Sequence, residues 1–205
     1  MSCTVKKEER LITKAEEELL VTLPSRVRRR TIREFEEILV SEFISVTGGV
    51  LAGALIATYL DKIALVPGLL ILLPGFLAMR GNISGSLAAR LGAALHLGLL
   101  KKHPGLLHRN AWAAFTLSIV VSAILGLVAY AGTWLFFHIH HPQIILVAVI
   151  ASIISNIILI PLTTKTTIWL FNHGHDPDNI MGPYITTVGD IVSVVSLIIA
   201  IVVVP

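Results

Sequence analysis

Charge is what this chain has least of. Only 14% of its 205 residues are Asp, Glu, Lys or Arg, against about 25% in an ordinary soluble domain, and that excludes a water-soluble globular fold. Acids are the scarcer sign: beyond residue 37 there are five, Glu42, Asp61, Asp176, Asp178 and Asp190. One cysteine, Cys3, lies in the polar N-terminal stretch, so no intrachain disulfide framework holds the fold. The net charge of +3 and the pI near 9.2 come from a basic flank, which gives no reason to expect nucleic acid as a partner. A secretory signal is not expected, because the first apolar stretch follows a long charged segment and lacks a small-residue cleavage site.

What is present is grease. Hydrophobic residues make up 55% of the chain and the mean hydropathy is +0.83. They come in runs rather than in alternation. Several runs reach the roughly 20 residues a helix needs to cross a hydrocarbon core of about 30 Å. Spans are expected over residues 38–60, 112–137, 144–171 and 184–204. The remaining apolar region, 63–100, would be about 57 Å long as one helix at 1.5 Å per residue. A single crossing returns Lys101, Lys102 and Arg109 to the side of the basic leader, as the positive-inside rule requires, and leaves the "HIHHPQ" loop outside. The expectation is an all-α, multi-pass cell-membrane protein of five transmembrane helices, N-terminus in and C-terminus out.

Residues 1–37 form a cytoplasmic leader and residues 38–205 the membrane domain. The leader holds nine of the 16 Lys and Arg and eight of the 13 acids. It reads as two short amphipathic helices, one over 5–20 and one after Pro24. The second would bring Arg26, Arg28, Arg29, Arg30 and Arg33 to anionic headgroups. A solvated leader that merely sets topology is the competing reading.

Ionisable residues inside spans are costly, and they face a bundle interior, a partner or a water-filled path. Here the important one is Asp190. Thr186, Thr187, Ser193 and Ser196 recur around it at helical spacing, so one side of the fifth span reads as a polar stripe. Gly182 and Pro183 read as that helix's start. A lone buried carboxylate takes up a proton unless something positive keeps it ionised. A hydrated divalent cation shared with a second copy of the residue would do so, and magnesium typically uses one or two carboxylates while keeping several waters. An internal salt bridge from Asp190 to Arg80 or Arg90 is the alternative. In the second span Asn82, Ser86 and Arg90 follow at intervals of four, Pro74 and Gly75 read as a break, and Gly81 and Gly85 leave room for another backbone. Arg80 is expected near a mouth or in a salt bridge, since facing the pore it would repel a cation. Ser152, Asn156, Thr163 and Thr167 make a further stripe in the fourth span, either path-lining or ordinary packing. The histidines of "HIHH" and of "HGHD" stand at loop ends without a full ligand set, and Asp176 and Asp178 read as an attraction for cations.

Two stretches carry a resemblance. "VPGLLILLPGFLAMRGNISGSLAARLGAALHLG" resembles the second transmembrane helix of the MgtE and solute-carrier magnesium transporter superfamily, and "DPDNIMGPYITTVGD" resembles its second signature, which opens the fifth helix. The resemblance covers about residues 38–205. It implies a five-helix pore domain that works as a homodimer, moves Mg2+ and is lined by the second and fifth helices. The family's pore aspartate falls on Asp190, its second-helix asparagine on Asn82, and its threonines on Thr186 and Thr187. Ser86, Ser193, Asn156, Asp176 and Asp178 are further candidates along the ion path. The cytoplasmic N and CBS domains of bacterial members have no counterpart in the 37-residue leader. Two other transport readings fit the same residues: a Na+-coupled divalent cation exchanger, and an anion or organic-solute carrier using Arg80 and Arg90. No enzyme is expected, because the spans hold no nucleophile with an adjacent base, no acid pair and no metal-ligand motif.

Overall fold

A computed structural model describes residues 25–64 and 67–204. The amphipathic helix expected over 5–20 lies outside them. The described residues are all helical, with no strand among them: α1 (Ser25–Thr58), α2 (Leu60–Ala64), α3 (Pro67–His96), α4 (Leu99–Lys102), α5 (Gly105–Phe137), α6 (Gln143–Asn172) and α7 (Pro177–Val203). Five helices are long and apolar enough to cross a membrane, over Thr31–Thr58, Gly68–His96, Gly105–Phe137, Gln143–Asn172 and Pro177–Val203. The fold divides between Leu39 and Val40. On the N-terminal side, Arg33 Nε donates to Glu37 Oε1 at 3.1 Å, one turn apart on α1. No separate amphipathic helix follows Pro24, since residue 25 onward already belongs to the helix that becomes the first span.

In the C-terminal unit α3 packs against α5, α6 and α7, and α6 packs against α5 and α7 as well. Two rules of side-chain size produce this. On α3 large buried residues repeat every third or fourth position: Leu69, Leu72, Phe76, Met79, Ile83, Leu87 and Leu91. The buried face of α5 is built only from small residues, Ala114, Ser118, Ser122, Gly126, Ala129 and Thr133. Its Leu117, Val120, Ile124, Leu127 and Val128 stay exposed. Lipid offers large side chains the same apolar surroundings as a core does, so helices associate where small residues let backbones approach. Gly126 marks a close approach of two backbones, because a Cβ there would stand 2.8 Å from the Ile145 Cα.

Three expected boundaries shift. The long region 63–100 holds one span, Gly68–His96, and Gly98 at φ 65° turns the chain after His96 with a left-handed conformation that glycine tolerates. Pro74 and Gly75 do not interrupt α3. Proline deletes one backbone donor, and the neighbouring turns carry the helix through. The last helix starts at Pro177 rather than near Gly182, because Asp176 caps it by accepting from the Asp178 N–H at 3.1 Å and Pro177 sits in the first turn.

Helix α1 makes few approaches to the others. Ser41 Oγ donates to the Asn179 carbonyl at 3.3 Å, and Gly48 lies so close to Thr187 that a Cβ would strike its methyl group. Replacing Gly126 by leucine is expected to cost about 1–3 kcal/mol by forcing α5 off α6. Gly53→Ala, where nothing lies within 4 Å, is expected to stabilise α1 by about 0.5–1 kcal/mol. Reversible unfolding in mixed detergent micelles measures both.

Candidate functional site

The site begins with the register of two antiparallel helices. Gly92 of α3 lies against Asp178 of α7, Ala88 clusters with Met181 and Ile185, and Leu69 and Leu73 line one cavity with Leu197, Ile198 and Ile201. Both helices rise 1.5 Å per residue, so this register sets Asn82 level with the turn from Thr187 to Asp190.

Residues two apart on a helix point to nearly opposite sides, and α3 uses this at Arg80 and Asn82. Arg80 turns inward and is only 1% exposed. Its guanidinium donates to Asn156 Oδ1, to Ser152 Oγ and to the Ser152 carbonyl on α6, the last at 3.0 Å. Its carbon centre lies 5.2 Å from the centroid of the Phe76 ring, one turn earlier. Ser118 of α5 extends the network, 3.0 Å from Ser152 Oγ. Arg80 Nε and Asn156 Nδ2 remain buried without partners. The expectation that Arg80 stands near a mouth or in a salt bridge is therefore corrected: its partners are neutral oxygens inside the bundle. Arg90 is exposed and donates to the Ser86 carbonyl of its own helix at 3.2 Å. Arg80 and Arg90 thus occupy different environments.

Asn82 and Ser86 face outward and are exposed, as is Thr186 on α7, while Asp190 is half-buried. Among the described residues no side chain pairs with Asp190 or donates to it, so neither arginine provides the internal salt bridge. Gly81, Gly85 and Gly182 are open beside these residues, with nothing near a Cβ added to them. The stripe expected along α7 divides around Asp190. Thr186 stays out, whereas Thr187, Ser193 and Ser196 turn into the bundle. Thr186 and Thr187 donate back to the Gly182 and Pro183 carbonyls, both at 3.0 Å, Ser196 donates to Val192 at 2.7 Å, and Ser193 Oγ is buried without a partner.

The polar stripe of α6 is interior. Asn156 is 2% exposed and holds Arg80, Thr167 donates to the Thr163 carbonyl at 2.7 Å, and none of the stripe shares the open face with Asn82. The histidine loops gather no ligand set among the described residues. His173 Nδ1 lies 2.8 Å from the Trp169 carbonyl and His140 Nδ1 lies 3.4 Å from the Tyr130 hydroxyl. Instead His96, which the sequence pattern did not single out, comes from the end of α3 to Asp176 and Asp178. Only the α3–α7 register brings them together, and no local spacing encodes that.

The family model for MgtE, described as a divalent cation transporter, matches residues 73–200. The chain belongs to the MgtE family. It is accordingly a multi-pass membrane protein of a family of divalent cation transporters, and the match takes in α3 from Leu73, all of α5 and α6, and α7 as far as Ala200. No curated protein and no solved structure matches it. In this MgtE-family chain a double-mutant cycle of Arg80→Ala and Asn156→Ala, read by unfolding in detergent, is expected to give a coupling of about 1–2 kcal/mol. Strictly additive effects would contradict the buried pairing.

Proposed function

We propose that the chain is a magnesium transporter or channel, working as a two-fold homodimer in which a partly hydrated ion is held between two Asp190 carboxylates. The observation that carries this reading is the isolation of Asp190. Its helix is long enough to cross the membrane, it has no basic or hydrogen-bonding partner among the described residues, and it borders an exposed polar face. Carboxylates and amides exposed to hydrocarbon are expensive, and glycines beside them let a second backbone approach closely. A second copy supplies the cover, and a divalent cation supplies the positive charge.

Each side chain then has a distinct task. Asp190 provides the field, and its partner doubles it. Asn82, level with it on α3, offers an amide oxygen to water on the ion. Thr186 uses its hydroxyl proton within α7 and keeps oxygen lone pairs for water, whereas Thr187, turned into the bundle, is left out of the path. Magnesium surrenders its waters reluctantly, so a site with one carboxylate per subunit and neutral oxygens around it suits a hydrated ion better than a stripped one. The N-terminus lies in the cytoplasm and the C-terminus outside. Lys101, Lys102 and Arg109 at one end of the bundle, against the His138–His141 loop without Lys or Arg at the other, support that orientation.

Asp190→Ala is expected to reduce Mg2+ influx into proteoliposomes at least tenfold while the protein elutes as the parent does, and normal flux in that variant would reject the proposal. Asn82→Ala is expected to reduce flux less, because it removes a neutral oxygen rather than a charge. Flux that persists without any sodium gradient separates this reading from a coupled exchanger.

A further inference from the structure

Away from the central face, Asp176 and Asp178, expected from the sequence only as an attraction for cations along the path, meet a third ligand-bearing side chain. At the junction of α3 and α7, His96, Asp176 and Asp178 each present one ligand atom, and all three atoms lie within 4.8 Å of one another. His96 Nε2 is 3.6 Å from Asp176 Oδ1. Two ligands held about 2.0–2.2 Å from one metal ion stand roughly 3.0–3.5 Å apart, so this pair needs a contraction of a few tenths of an ångström to share an ion. Asp176 Oδ1 also accepts the capping bond from the Asp178 N–H and keeps a second lone pair for an ion.

The surroundings favour a cation. Among the described residues neither carboxylate meets a lysine or an arginine, and the imidazole is the only partner of positive character. Glycine at position 92 leaves the room, since a Cβ there would come 3.1 Å from Asp178 Oδ1 and crowd the carboxylate. Gly92 and His96 are one turn apart on α3, so the side that lacks a side chain is the side that carries the imidazole. The edge of the Phe171 ring meets His96 with centroids 5.1 Å apart and planes at 84°, which fixes the ring's plane.

We infer that His96, Asp176 and Asp178 form a divalent-metal site, distinct from the Asp190 face, that takes a nitrogen-binding ion of the Mn2+ or Zn2+ class in preference to Mg2+. Imidazole is a good ligand for first-row transition ions, whereas magnesium favours oxygen ligands and its own waters. The bound ion ties the C-terminal end of α3 to the N-terminal end of α7, the two helices that carry Asn82 and Asp190. The inference does not rest on the proposed ion path.

The test uses the full chain in nanodiscs carrying Asp190→Asn, so that the central face contributes no binding, with Mn2+ alone as the probe. Electron paramagnetic resonance is expected to count one Mn2+ per chain, held against millimolar Mg2+, and pulsed measurements are expected to show nitrogen coupling from an imidazole. His96→Gln should remove the nitrogen coupling and weaken Mn2+ at least about tenfold. Asp178→Asn, whose side chain is not the capping group, should weaken it similarly, and His141→Gln should change neither. Failure of the Asp190→Asn chain to bind Mn2+ would overturn the inference. So would Mn2+ bound without nitrogen coupling, or binding indifferent to both His96→Gln and Asp178→Asn.

Discussion

A buried guanidinium organises this membrane domain. Arg80 sits within the α3, α5 and α6 interior, where an unpaired cation would be very costly, and Asn156 and Ser152 meet its two terminal nitrogens with neutral oxygens, leaving only Nε without a partner. Hydrogen bonds to a charged group are worth about 1.5–3 kcal/mol each, so the network pins α3 to α6 and sets which faces of α3 remain outside. It also uses up the one buried cation among the described residues. Asp190, at the same level of the bundle, is left without a counter-charge of its own. The electrostatic separation of two residues that sit level with one another is the constraint from which the proposed ion path follows.

The packing serves the same end. Helix α5 turns its small residues inward and its large ones outward, α3 presents large side chains to fill the interior, and two backbones come close at Gly126. Because the interior is closed by these contacts, the glycines of α3 at positions 81 and 85 are not needed inside and remain on the face with Asn82 and Ser86. Close packing where α3 meets α5, and open glycines where it meets none of the described residues, are both small-residue patterns. They read alike in the sequence.

That ambiguity explains how far the sequence could be read. The apolar runs were long enough to give all five helices, and the match to MgtE bears out the resemblance seen in the "GNISGS" and "DPDNIMGPYITTVGD" stretches. Boundaries slipped where local chemistry outweighed composition. Asp176 starts α7 two turns before Pro183, and Pro74 is absorbed into α3. The position of Arg80 was illegible because its partners are neutral. An arginine in a span invites a search for a carboxylate, and nothing in the spacing of Ser152 and Asn156 distinguishes an interior anchor from a path-lining stripe. His96 was illegible for a different reason, since its neighbours are 80 or more residues away in the chain and meet it only through the register of two helices.

The central claim is that the face bearing Asn82, Thr186 and Asp190 closes on a second copy of itself. It is tested most directly by oxidative cross-linking of single-cysteine variants in native-like membranes, with Cys3 replaced by serine. Cysteine at position 186 is expected to give a disulfide-linked dimer. Cysteine at position 128, exposed on the side of α5 remote from that face, is expected to stay monomeric. Monomer alone at position 186, or equal cross-linking at both positions, would contradict the account.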